Sequence, residues 1–185
     1  VTLYGYDVTE LPHRSEEWEQ RYEELFAKTN AVLCEGPHMA EQVVQDLGCP
    51  SEKVHVHHLG IPLVDVPYAP LSWKPGDPLR LLIAASFREK KGIPYALKAV
   101  GQFRGSNPVE LTVIGDGTKE KRAEVERLVL KCDLDDCTRM LGYVSHEKLL
   151  EEARNHHVFL SPSVTAKSGD TEGGAPVTLI EMAAS

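Results

Sequence analysis

A chain of 185 residues, 42% hydrophobic and 26% charged, has the composition of a globular protein and the length for one full core and part of a second. Its formal net charge of −8 excludes a general nucleic-acid binder, which needs a basic surface to release counterions, but not a small anionic ligand met by a local basic patch. No apolar run has the length of a bilayer span, and no signal-peptide pattern stands at the start.

Strand and helix signals alternate along the chain. Residues 1–8 read as a short strand. A helix is predicted over 15–28, with Ser15 as N-cap and Trp18, Tyr22, Leu25 and Phe26 at helical spacing. Residues 31–34 follow as a strand, 37–47 as a helix closed by Gly48, and 54–59 as a strand. The stretch "GIPLVDVPYAPLSWKPGDPLR" carries prolines at 62, 67, 70, 75 and 78, which forbid a long helix and mark a linker.

Beyond the linker the order is regular. Strands are predicted over 79–85, 110–114, 139–143 and 158–160. Helices are predicted over 93–102, 119–131 and 146–154, and a last one opens at Pro176. "LRLLIAA" and "LTVIG" are near-continuous apolar runs, as strands covered on both faces require. Alternation of this kind implies parallel βαβ units. The domain organisation expected is 1–62, the last part of an amino-terminal domain, then a Pro-rich linker over 63–78 and a second α/β domain over 79–185. Both ends read as interior to a longer protein: the chain opens inside a strand pattern and closes in an uncapped helix.

In doubly wound sheets, ligands lie outside the carboxyl ends of the strands, so the loops after each strand are the candidate sites. In "DTEGGAPVTLIEMAAS", Gly173 and Gly174 allow close backbone approach, and the following helix start offers free N–H groups to an anion. Glu181 borders the stripe of Val177, Ile180 and Ala184 expected to face the core, where a carboxylate needs a polar partner. The vicinal hydroxyls of a ribose would supply one. Glu172 precedes the turn and can meet a second polar group. The plain alternative is a solvated loop glutamate and a rim glutamate. "SFREKKG" holds Arg88, Lys90 and Lys91, the densest basic group of the chain, either a solvated turn or a phosphate clamp. "VIGDGTKE" has Gly115 and Gly117 but Glu120 where a dinucleotide fingerprint wants a third glycine, which disfavours NAD. In "HVHH", His55 and His57 share one strand face. Their alternation with Val54 and Val56 fits a half-exposed strand better than a metal site. Cys34, Cys49, Cys132 and Cys137 form no CxxC pair and read as reduced thiols of a cytosolic protein.

Taken together, "AASFREKKGIPYALKAV", "LTVIGDG", "LGYVSHEKLLEEARNHHVFLSPS" and "GDTEGGAPVTLIEMAAS" resemble, in order and spacing, the carboxyl-terminal domain of GT-B glycosyltransferases of glycosyltransferase family 4 (group 1). "AVLCEGPHMAEQVVQDLGCPSEKVHVHHLGI" is similar to the end of that family's amino-terminal domain. The resemblance implies an α/β fold: a Rossmann-like parallel sheet, truncated at its carboxyl end, preceded by the end of an amino-terminal Rossmann-like domain, the whole an internal fragment. It implies a retaining transferase that moves a sugar from a nucleotide-sugar donor, such as a UDP-sugar or GDP-sugar, to a glycan or lipid-linked acceptor, with no other cofactor and no catalytic metal. The fragment alone would be inactive. A nucleotide-binding module without transfer, or a nucleotide-sugar epimerase or hydrolase, is the alternative on this fold.

By the same resemblance, Glu181 binds the donor ribose and Glu172 the donor sugar near the reacting centre. The backbone of Gly173, Gly174 and Ala175 lines the sugar and phosphate, and Arg88 with Lys91 holds the leaving diphosphate. Gly115, Asp116 and Gly117 join the donor site, with Tyr143 and Val144 near the base. The sequence departs from the family pattern in three places. Eight residues rather than seven separate the two glutamates, Ser86 stands five residues before Lys91 where the family has Arg, and Tyr4 in "TLYGYD" stands where the family often has His. The resemblance places the protein in polysaccharide biosynthesis in the cytoplasm, with peripheral attachment at the inner membrane face through segments outside this sequence, and the acidic net charge argues against a nucleic-acid partner.

Overall fold

The computed structural model describes every residue except Pro67, Ala69, Pro70, Ser106, Gly173 and Ala175, and describes Asp65 through its backbone alone. Two compact units divide the chain. One comprises Val1–Ile61 with Val164–Val177, the other Pro62–Ser163 with Thr178–Ser185.

The first unit has a three-stranded parallel sheet in the order β1 (Thr2–Leu3), β2 (Val32–Cys34), β3 (Val54–Val56). Its helices are α1 (Gly5–Thr9), α2 (Glu16–Lys28) and α3 (Pro37–Gln45). The strand predicted over 1–8 is therefore a correction. Only two residues are extended, and the chain turns into α1, where the Asp7 carboxylate accepts from the Tyr4 N–H at 3.2 Å. A side-chain acceptor at a helix start satisfies an otherwise orphaned donor, which here outweighs the short alternating pattern. Val8 then turns inward to join Leu3, Phe26, Val32, Met39 and Val43 in the core. Tyr22 packs edge-on against Phe26 at 5.8 Å, and its hydroxyl donates to the Asp7 carbonyl at 2.6 Å. Burial, then the nearby Asp7 charge, push the Tyr22 phenol up to about 12.

Residues 164–177, assigned from sequence to the second domain, cluster with this first unit. Thr9 Oγ1 donates to Asp170 Oδ1 at 3.2 Å, and Asp170 is only 3% exposed. A polar anchor 161 residues away in sequence draws the segment to α1.

The second unit has a four-stranded parallel sheet in the order β6 (Thr138–Gly142), β5 (Val109–Ile114), β4 (Leu79–Ala84), β7 (Val158–Phe159). Its helices are α4 (Ile93–Arg104), α5 (Lys119–Lys131), α6 (His146–Arg154) and α7 (Val177–Ala184), whose first residue belongs to the other unit. The predicted strands and helices match these within one or two residues, the ordinary uncertainty of element ends. The expected linker carries a three-residue 3₁₀ turn, Leu63–Asp65, and a Trp73 indole N–H that donates to the Asp77 carbonyl at 2.9 Å.

Side chains alternate across a strand, so β4 and β5 present two different faces. Leu81, Ile83, Leu111 and Val113 join Leu97 of α4 and Val125 of α5 in the main core. Thr112, 2% exposed, points the other way into a polar chain buried at His156 and Glu152 and exposed at Arg139. A carbonyl only accepts, so His156 Nδ1 carries a proton and donates to the Glu152 carbonyl at 2.6 Å. The bare Nε2 then accepts from the Thr112 hydroxyl at 2.9 Å. Thr112 Oγ1 in turn accepts from Arg139 at 3.0 Å, and Arg139 pairs with Glu152 at 2.8 Å.

Burial holds the His156 imidazole below its ordinary 6.5. Burial alone would raise Glu152, but hydrogen bonds and charges from Lys148 and Arg139 overrule it and hold the carboxyl below 4.5. Both groups bind protons more readily when unfolded. Stability linked to His156 is lost as pH falls below 6.5, and that linked to Glu152 as pH falls below 4.5, through each group's folded value. The melting temperature is therefore expected to drop as pH falls through 6.5 and below, and His156→Gln to make this drop shallower, leaving the share of His157, which is also held below its ordinary value, and the drop at lower pH. A wild-type profile level down to about pH 5 would refute the buried neutral histidine.

Candidate functional site

The loops after β4, β5 and β6 meet at Asp116. Gly115 adopts φ 124, and a Cβ there would run into the Ala85 carbonyl oxygen; a Cβ on Gly117 would come within 2.9 Å of the Phe87 Cβ. The absence of both side chains lets the β5 loop lie against the β4 loop. There the Asp116 carbonyl accepts from the Phe87 N–H at 2.8 Å and from the Tyr143 hydroxyl at 3.2 Å. The Asp116 carboxylate is gripped from the other side. Arg122 Nε and Nη2 donate to its two oxygens at 3.0 and 2.6 Å, and the Gly117 N–H adds a bond of 2.8 Å. Hydrogen bonding from Arg122, then from Gly117, lowers the Asp116 carboxyl below its ordinary value. A carboxylate engaged in this way organises the loop and is poorly placed to be the ligand's own partner.

Arg88 opens the 3₁₀ turn Glu89–Lys91 and is exposed, while Lys91 is half-buried. Lys90 is only 7% exposed, so Arg88 and Lys91 are the more accessible members of the basic trio seen in the sequence. The ring of Tyr143 stands 72% exposed after β6, with Val144 half-buried beside it. The β5 turn thus brings Phe87, which immediately precedes Arg88, together with Asp116 and Tyr143.

α6 starts at Ser145, whose hydroxyl accepts from the Lys148 N–H at 3.2 Å. This cap places His146 at the first helical position, and its Nε2 lies 2.7 Å from Glu181 Oε1. The stripe predicted for α7 is shifted. Val177 is 42% exposed and Glu181 is the buried residue of the helix at 9%, with the His146 ring as its hydrogen-bond partner. Glu181 and His146 line a cavity of about 440 Å³ along α6, with Pro62, Val66, Leu150 and Arg154.

Gly173 and Ala175 lie outside the described residues. Glu172 and Gly174 belong to the first unit. Glu172 is half-buried, and its carbonyl accepts from Thr171 Oγ1 at 3.2 Å. Gly174 comes so close to Glu35 that a Cβ there would lie 2.7 Å from the Glu35 Cβ and 2.8 Å from Oε2. His146, Arg122 and Glu35 were not singled out from sequence. Arg122 carried a signal, since a helix capped at Thr118 returns its second turn over the Gly-Asp-Gly loop. Glu35 stands 139 residues from Gly174 and carried none. Among the described residues no group of three His, Cys, Asp or Glu is placed to hold a metal ion, and no helix is long and apolar enough to cross a membrane. All four cysteines are free thiols, Cys34 and Cys49 buried and the other two half-buried.

Residues 72–185, which hold β4 to α7 and every loop just described, match the profile of the family described as glycosyl transferases group 1. The chain belongs to the group 1 glycosyl transferases. Over its whole length it is 32% identical to the amylovoran biosynthesis glycosyltransferase AmsK of Erwinia amylovora, and it spans 44% of that protein. Among solved structures, sucrose-phosphate synthase from Thermosynechococcus elongatus superposes with a TM-score of 0.71 at 20% identity, over 98% of this chain and 46% of that one. Anabaena HepE, in complex with UDP and glucose, superposes with a TM-score of 0.70 at 14% identity, over 89% and 46%. The fold of this group 1 chain is thus the parallel α/β layering of the GT-B transferases.

The close approach at Gly115 sets an expectation. Gly115→Ala forces a side chain into a left-handed backbone facing a carbonyl and should cost the second unit about 1–3 kcal/mol in urea unfolding, with lost loop geometry. A change within about 0.5 kcal/mol would show that the β5 turn is looser than described.

Proposed function

We propose that the protein carrying this sequence is a retaining, metal-independent glycosyltransferase of family 4. It transfers a sugar from a UDP-sugar or GDP-sugar to a glycan or lipid-linked acceptor in the assembly of a polysaccharide. The observation that carries this reading is Glu181, a 9%-exposed carboxylate on the wall of a cavity, in a chain of the group 1 family. A carboxylate that has given up water accepts two neighbouring hydroxyls well, and a ribose presents such a pair. The relation to AmsK supports polysaccharide synthesis, and the UDP held by HepE supports a nucleoside diphosphate.

In this proposal Arg88 and Lys91 hold the diphosphate and Tyr143 with Val144 borders the base. Gly115, Asp116 and Gly117 shape the loop beneath, with Asp116 acting through structure. Glu172 takes sugar hydroxyls and the Gly173–Ala175 backbone the adjoining phosphate. The reaction is a front-face displacement. The bond from the anomeric carbon to the leaving phosphate oxygen breaks while the acceptor oxygen bonds to the same face, and the acceptor proton passes to the departing phosphate. Two cationic side chains supply the charge stabilisation a divalent cation would otherwise give. The setting proposed is cytoplasmic, with peripheral membrane attachment through segments outside this sequence.

Calorimetric titration of the full-length protein with UDP, GDP and ADP in EDTA should show binding of one nucleotide. Glu181→Ala should weaken it by about 10- to 100-fold, the worth of hydrogen bonds to a charged group. Binding by none of the three, or binding untouched by the substitution, would overturn the donor reading. Release of free sugar without any acceptor product would replace transfer with hydrolysis. Arg88→Ala should lower kcat by about tenfold or more through loss of leaving-group stabilisation, measured with saturating donor.

A further inference from the structure

The His146–Glu181 contact has a geometry that the donor reading alone does not require. Glu181 projects from α7, and a glutamate side chain has three rotatable bonds with which to miss its target. Among the described residues, the one side chain that hydrogen-bonds its carboxylate is His146, at 2.7 Å. A carboxylate oxygen accepts, so the ring Nε2 carries the proton. The histidine backbone is fixed at the first position of α6, where the Ser145 cap sets the helix start. The other charged groups lining the same cavity are Glu147, Glu151 and Arg154. His146 is therefore the donor that pins Glu181 in a wall that carries two further carboxylates.

We propose that His146 is a positioning residue for ribose recognition: it locks the Glu181 carboxylate in the orientation that receives a vicinal diol and so sets the preference for ribonucleotides over 2′-deoxyribonucleotides. This rests on the reading of Glu181 as the ribose ligand. The bond does not compete with the sugar. Two carboxylate oxygens offer about four lone-pair sites, and His146 occupies one. What it removes is rotamer freedom, which a ligand would otherwise have to quench on binding. The ring is itself 60% exposed, so its replacement leaves no hole in the core.

The test compares affinities for UDP, GDP and ADP with those for their 2′-deoxy counterparts, using the full-length protein and its His146→Ala, His146→Gln and Glu181→Ala variants. Wild type is expected to prefer the ribonucleotide. His146→Ala should reduce that preference about three- to tenfold, chiefly by weakening the ribonucleotide. His146→Gln places an amide donor near the Nε2 position and should restore most of it, a rescue that general damage to the fold would not allow. If Glu181→Ala abolishes the preference while His146→Ala leaves it intact, the positioning role is wrong and the ribose role of Glu181 stands. If Glu181→Ala leaves the preference intact, or if none of the three ribonucleotides binds, the ribose reading fails and the His146 role fails with it.

Discussion

The carboxyl end of the second sheet depends on Asp116. Its carbonyl accepts from the β4 loop at Phe87 and the β6 loop at Tyr143, and its carboxylate closes on Arg122 of α5. One residue thereby couples the ends of three neighbouring strands. The coupling works because the turn around it is glycine: without a Cβ at 115 the β5 chain can cross the Ala85 carbonyl, and with one it cannot. Charge-assisted, two-point contacts with Arg hold direction as well as distance, so the three loop ends keep a fixed geometry relative to one another.

Both faces of the sheet bury apolar residues, and one of them adds a polar chain. Toward α4 and α5 the strands bury Leu, Ile and Val, and stability follows from apolar area removed from water. Toward α6 the same strands bury Leu82 and Ile114 and, between them, Thr112, whose polar chain runs through buried His156 and Glu152 and surfaces at Arg139. The second arrangement fixes α6 by direction rather than by volume alone. Since His146 is the first residue of that helix, the network at its far end and the Glu181 contact at its start belong to one rigid element.

The first unit shows how a segment can belong to a neighbour that its sequence position does not suggest. Residues 164–177 follow the strands of the second unit in the chain, yet Asp170 is buried against Thr9 and Gly174 is packed on Glu35. A buried carboxylate has few acceptable environments, and the Thr9 hydroxyl at 3.2 Å is one of the contacts that hold Asp170 in this unit.

Sequence alone determined the alternation of strands and helices, the parallel α/β class and the position of the loops that follow the strands. These follow from local periodicity, capping residues and glycine placement, all legible over a few neighbouring residues. α5 and α6 match their predicted bounds because Thr118 and Ser145 cap them. The start of the chain was misjudged because two competing local signals, a short alternation and the Asp7 acceptor, differ little in a stretch of eight residues. Tertiary structure decided what each loop residue faces. It turned Lys90 inward, engaged Asp116 with Arg122, shifted the buried face of α7 onto Glu181 and supplied His146 as its partner. The physical reason is range. Backbone preferences act between residues a few apart, whereas the pairing of a buried charge is settled by whichever donor the fold brings within about 3 Å, here one 35 residues away.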